Sequence, residues 1–219
     1  MVKINFDYIR NKVGVSYLKL FDNKPKKILI FSPQRTFSNY FETFLIKNFY
    51  LEVINSTDYV RDYNNILHKH INNFSKKKFK KYNNKNYIFF ILYKNSNLWL
   101  KSIKKNDMDF FNQFLIHHKI KIRKNDKYKL KKYHKNWYKN WIKLHKYFNN
   151  VELINHKQTL KHDSNLSLFE YLKKKYKLID KGKMKIPITI RRNKKFNKIK
   201  YLKNIKIKDD DYGKIFKLI

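Results

Sequence analysis

The run Tyr87-Ile88-Phe89-Phe90-Ile91-Leu92-Tyr93 constrains the fold of this chain more than any other segment. Seven apolar residues in a row, rich in β-branched and aromatic types, leave no face to turn toward water. That is the pattern of a strand covered on both sides, as strands are in a parallel sheet. Three shorter runs resemble it: Lys27-Ile28-Leu29-Ile30-Phe31, Leu51-Glu52-Val53-Ile54 and Val151-Glu152-Leu153-Ile154. The segments between them carry helical spacing. Tyr40, Phe41, Phe44, Leu45 and Phe49 predict a helix over 37–48, and a short helix falls at 97–104. Tyr133, Trp137, Trp141, Leu144 and Phe148 predict a long amphipathic helix within 126–148. Leu168, Phe169, Leu172 and Tyr176 predict another over 166–176, and residues 109–122 are apolar on one side. Residues 1–25 read as a strand and a turn closing at Asn23-Lys24-Pro25. Strands alternating with helices imply an α/β layer fold with a mostly parallel sheet.

Charge constrains the partners. The chain of 219 residues carries 53 Lys and Arg against 16 Asp and Glu, a formal net charge of +37. Self-repulsion of that size disfavours a compact state unless a polyanion stays bound. The commonest polyanion is nucleic acid. The basic residues run through the whole chain, which suits a protein embedded in RNA more than one with a basic tail. The absence of Ala, with 47 Lys against 6 Arg, points to codons rich in A and T, as in many organelle genomes. Drift toward Lys under that bias is the plainer alternative. No Cys is present, which excludes a disulfide scaffold and Cys-based metal sites. No apolar run is long enough to span a bilayer. The first residues carry neither a secretory nor a transit signal, so an organellar location, the mitochondrion, implies synthesis there.

Ser32-Pro33-Gln34-Arg35-Thr36-Phe37-Ser38-Asn39-Tyr40 lies between a strand and a helix, where a phosphate-binding loop belongs. This stretch resembles the 5′-phosphosulfate loop of the sulfotransferase family, with Arg35, Thr36, Ser38 and Tyr40 matching and Phe37 in place of a Gly. Lys94-Asn95-Ser96 after the third strand, with Ser102 eight residues on, is similar to the family's 3′-phosphate motif, and Trp99-Leu100 lies between. The likeness runs over about residues 27–180, through the Trp-bearing helix and the strand and helix after it. It implies a three-layer, parallel-sheet, P-loop-like domain over residues 1–180, with a basic C-terminal extension over 181–219. It also implies nucleotide contacts at Arg35, Thr36, Ser38, Lys94 and Ser102.

The departures have consequences. Gly lets a loop backbone approach a phosphate and take positive φ, and Phe37 resists both. Lys in place of Arg at position 94 loses a bidentate fork. His156-Lys157-Gln158-Thr159-Leu160 replaces an acidic motif. A scaffold without the reaction is therefore expected, its nucleotide site vestigial, with no catalytic residue assigned. His68 and His70 stand where the family keeps its base, although a His in so polar a segment more often sits at the surface or on RNA. Asp209-Asp210-Asp211 reads as a solvated patch, and the adjacent His117 and His118 point apart on a helix, so no metal is assigned.

The expectation is a structural ribosomal-RNA-binding component of an organellar ribosome, without a cofactor. Its partners would be ribosomal RNA and neighbouring ribosomal proteins. The alternative is an active sulfotransferase using a 3′-phosphoadenosine 5′-phosphosulfate donor. Lysines contact phosphates as point charges, so RNA contacts are expected at Lys76, Lys77, Lys78, Lys131, Lys132, Lys135, Lys139 and Lys143. Arg191, Arg192, Lys194 and Lys195 of the extension complete the set.

Overall fold

In a computed structural model of the chain, the described residues are 6–21, 24–34, 36–56, 67–71, 74–104, 126–159 and 162–187. Four strands, β1 (Lys26–Phe31), β2 (Leu51–Val53), β3 (Tyr87–Tyr93) and β4 (Val151–Asn155), form one sheet in the order β2-β1-β3-β4. Every pairing is parallel, with Ile28 opposite both Val53 and Ile88, and Ile91 opposite Leu153.

Among the described residues the helices are α1 (Phe6–Leu20), α2 (Ser38–Asn48), the single turn α3 (Lys76–Phe79), α4 (Ser96–Lys104), α5 (Lys127–Ile142) and α6 (His162–Tyr176). Alternate strand residues choose opposite faces. Ile28, Ile30, Ile88, Phe90, Leu92 and Ile154 pack with Phe41, Phe44 and Leu45 of α2 and with Leu168, Phe169 and Leu172 of α6. Leu29, Phe31, Phe89, Ile91, Tyr93 and Leu153 pack with Trp99 and Ile103 of α4 and with Trp137, Tyr138 and Trp141 of α5. Helices thus cover both faces of the sheet, which is why the strands read as unbroken apolar runs.

Local signals explain where the helices start and stop. The Asp126 carboxylate accepts from Lys129 N at 2.9 Å and caps α5, which tightens into a 3-10 turn at Lys143–Lys146. The strand expected within residues 1–25 is instead α1. Its inward residues, Asn11 and Val15, recur at helical spacing and pack against α2 and β2, while its larger apolar residues face outward. Arg35, the helix expected over 109–122, His117, His118, Arg191, Arg192, Lys194, Lys195 and Asp209-Asp210-Asp211 lie outside the described residues.

Candidate anion-binding crevice

The order β2-β1-β3-β4 reverses direction between β1 and β3. In an open parallel sheet, the loops leaving two such strands diverge at their carboxyl ends and leave a crevice, the usual ligand site. The residues around this edge are polar and yet buried: Ser32, Gln34, Thr36 and Ser38 after β1, Asn55 and Ser56 after β2, Asn95 and Ser96 after β3, and Thr159 after β4.

The loop after β1 is held from three sides. Ser32 N donates to Lys69 O at 2.9 Å, and Ser32 O accepts from the His70 ring at 2.9 Å. Gln34 O accepts from the Trp99 indole at 2.7 Å, which ties the loop to α4. Thr36 N donates to Pro33 O at 3.3 Å. The Ser32 hydroxyl is fully buried and has no hydrogen-bond partner among the described residues. Phe37 sits at the N-cap of α2 with φ −1° and makes no side-chain cap. Its ring packs on Phe41 at 6.3 Å and on His156 at 5.1 Å, so it is anchored to α2 and to the turn after β4. Tyr40 reaches away, donating to Asn165 Oδ1 at 3.2 Å.

The other wall is the start of α4. Lys94 Nζ donates to Ser102 Oγ at 2.5 Å, and that hydroxyl donates in turn to Leu98 O at 2.9 Å. Asn95 Oδ1 accepts from Asn97 N at 3.0 Å and shapes the first turn. Neither α2 nor α4 has an acidic residue in its first turn, so the partial positive charge at both N-termini is uncompensated there.

Sequence reasoning did not find the support beneath Lys94. His134 and Tyr138, one turn apart on α5, both hydrogen-bond the Lys94 main chain, and the Tyr138 phenol donates to Leu92 O at 2.8 Å. His134 lies between Trp99 at 4.8 Å and Tyr138 at 4.9 Å, and its Nε2 has no partner among the described residues. Burial drives the His134 pKa down to about 3. A charged ring there would lose its hydration and face Lys94. His156, after β4, is also lowered to about 3, by burial first and by the charge of Lys94 second.

A buried ion pair was missed as well. Lys69 Nζ meets the Glu42 carboxylate with both side chains almost wholly excluded from water. Glu42 also accepts from the Tyr8 phenol, so α1, α2 and the segment at Lys69 share one network. A carboxylate among the apolar residues of α2 was the available signal. The segment is pinned from the other face by Trp137 and Trp141, whose indoles both donate to Ile71 O, at 3.1 and 3.0 Å. The two tryptophans are therefore core residues with one polar task.

Lys76, Lys77 and Lys78 on α3, Lys131, Lys132, Lys135 and Lys139 on α5, and Lys143 beyond it are all exposed. Lys76 lies over the Tyr147 ring at 4.4 Å, which brings the start of α3 beside the turn after α5. Among the described residues, none of these lysines has an acidic partner at ion-pair distance.

No protein-family model, no curated protein and no solved structure matches this chain.

Proposed function

We propose that the chain is a sulfuryl transferase of the sulfotransferase type, taking 3′-phosphoadenosine 5′-phosphosulfate at the crevice between β1 and β3. The observation that carries this reading is the Lys94–Ser102 pair standing across the strand-order reversal from the Ser32–Ser38 loop. Two anion-attracting elements on the two sides of one crevice suit a ligand with two separate phosphate-level charges. Loop N–H groups, Thr36, Ser38 and the α2 N-terminus would hold the 5′-phosphosulfate. Lys94 and Ser102 would hold the 3′-phosphate, since an ammonium has three donors and can keep Ser102 while gaining an anion. The Ser32 hydroxyl, buried and without a hydrogen-bond partner among the described residues, begins the same loop. The anchoring of the Phe37 ring on Phe41 and His156 weakens the case for a vestigial site.

His70 is the candidate base. A carbonyl can only accept, so the ring donates from Nδ1 to Ser32 O, and in its neutral form Nε2 is the nitrogen that would take a proton. As the acceptor oxygen bonds to sulfur, the S–O bond to the nucleotide breaks, adenosine 3′,5′-bisphosphate leaves, and the acceptor proton passes to His70.

Titration calorimetry with adenosine 3′,5′-bisphosphate tests the reading. Binding is expected, weakened about tenfold to a hundredfold by Lys94→Ala through loss of a charged hydrogen bond. Absence of binding at millimolar nucleotide overturns it.

The net charge of +37, and exposed lysines without acidic partners among the described residues, favour a second reading: a structural ribosomal-RNA-binding component of a mitochondrial ribosome, its crevice vestigial. In that case the native protein sediments with ribosomal particles until ribonuclease is added.

A further inference from the structure

Helix α1 docks by its polar face and shows its apolar face to water. Asn11 Nδ2 donates to Leu51 O at 2.7 Å, and Asn11 Oδ1 accepts from Lys181 Nζ at 2.8 Å. Val15 is buried beside them. Gly14 lies so close to Tyr50 that a Cβ at that position would fall 2.2 Å from the ring. The opposite face carries Phe6, Ile9, Val13, Tyr17, Leu20 and Phe21, ranging from 49% exposed at Ile9 to 80% at Leu20. Steps of three and four residues keep them in one stripe, and Tyr17 and Phe21 touch ring to ring at 4.9 Å. A contiguous apolar stripe of this kind marks an interaction surface.

Charge decides what fits it. Arg10, four residues after Phe6 and three before Val13, is exposed within the stripe and Lys12 is exposed beside it; both side chains are long enough to carry their charge away from the apolar contact, and the chain as a whole is strongly cationic. A second copy would bring the same cationic excess against the first and be repelled. An anionic bilayer satisfies both the apolar stripe and the cations. No helix among the described residues is long and apolar enough to cross a membrane, so the fit is to a surface. We propose that α1 docks the protein in the plane of an anionic lipid bilayer. Its stripe enters the acyl boundary, and Arg10 and Lys12 lie at the level of the lipid phosphates. This docking stands independently of the nucleotide site.

Flotation of the ribonuclease-treated protein with phosphatidylcholine vesicles, with and without a minority of phosphatidylglycerol, tests the proposal. Binding to the anionic vesicles is expected, and part of it should survive high salt, because apolar insertion is not screened. The triple variant Ile9→Ser, Val13→Ser, Tyr17→Ser should lose the salt-resistant part at least about tenfold and keep its melting temperature, since those side chains face solvent. Should the triple variant misfold, Tyr17→Trp provides a second measurement, with extra indole fluorescence that brominated lipid quenches. Equal binding by the triple variant, complete loss of parent binding in salt, or failure of brominated lipid to quench the added indole overturns the proposal. So does a parent dimer that the triple variant converts to monomer, which would assign the stripe to a second copy.

Discussion

Acidification should weaken this fold through His134 in a way that one substitution isolates. The ring is packed between Trp99 and Tyr138, and its folded-state pKa is about 3 against an ordinary 6.5. The unfolded chain therefore takes up the proton first. Stability from the neutral ring is complete above about pH 6.5, falls as the pH drops, and is exhausted near pH 3. Each unit of separation is worth about 1.4 kcal/mol, so by pH 5 the loss is about 2 kcal/mol and the whole window holds about 5 kcal/mol. That is a large share of the roughly 5–15 kcal/mol by which a domain is stable. Urea unfolding at pH 7 and pH 5, for the parent and for His134→Phe, measures it. At pH 7 the variant loses the hydrogen bond to the Lys94 main chain and is the weaker protein by about 1–3 kcal/mol. Between pH 7 and 5 the parent should lose about 2 kcal/mol more than the variant. His156 and the carboxylates titrate in both proteins and cancel in the comparison. Equal losses in parent and variant would refute the assignment of a buried, neutral His134.

Three further substitutions probe the supports of the crevice. Glu42→Ala leaves the Lys69 ammonium buried without its carboxylate, and equilibrium unfolding should show a loss of about 3–5 kcal/mol. Trp141→Ala removes a fully buried indole and its bond to Ile71 O, and should cost about 3–5 kcal/mol by thermal or urea melting. Gly14→Ala reports the docking of α1 by its sign. In an open helix the change stabilises by about 0.5–1 kcal/mol, whereas the contact with Tyr50 predicts a lower melting temperature.

Much of the sheet was legible because burial on two faces leaves a local mark. Tyr87–Tyr93 and the run ending at Phe31 are short, β-branched and aromatic runs, the mark of covered strands, and α2 and α5 lie where their apolar spacing put them, with α6 starting four residues earlier at His162. Helix α1 was not legible. It is held by Asn11, Gly14 and Val15 and by polar contacts of Asp7, Tyr8 and Lys19, which leave no periodic apolar signal on the docked side. The ion pair of Glu42 and Lys69 spans 27 positions, and nothing local to either residue names the other. His134 could be placed on its helix by spacing, but its contact is the main chain of Lys94, brought there by the packing of α5 on the sheet.

From β1 onward the sequence by itself determined the four strands, the helices α2, α4, α5 and α6, their order and the polar loop between β1 and α2, because hydrophobic period and turn chemistry act over a few residues. Only the tertiary structure decided that Ser32, Lys94, Ser102 and His70 border one edge. Strand order is a property of pairings between distant segments, and the reversal between β1 and β3 is what sets the Ser32–His70 contact and the Lys94–Ser102 pair on neighbouring loops at the carboxyl edge of the sheet.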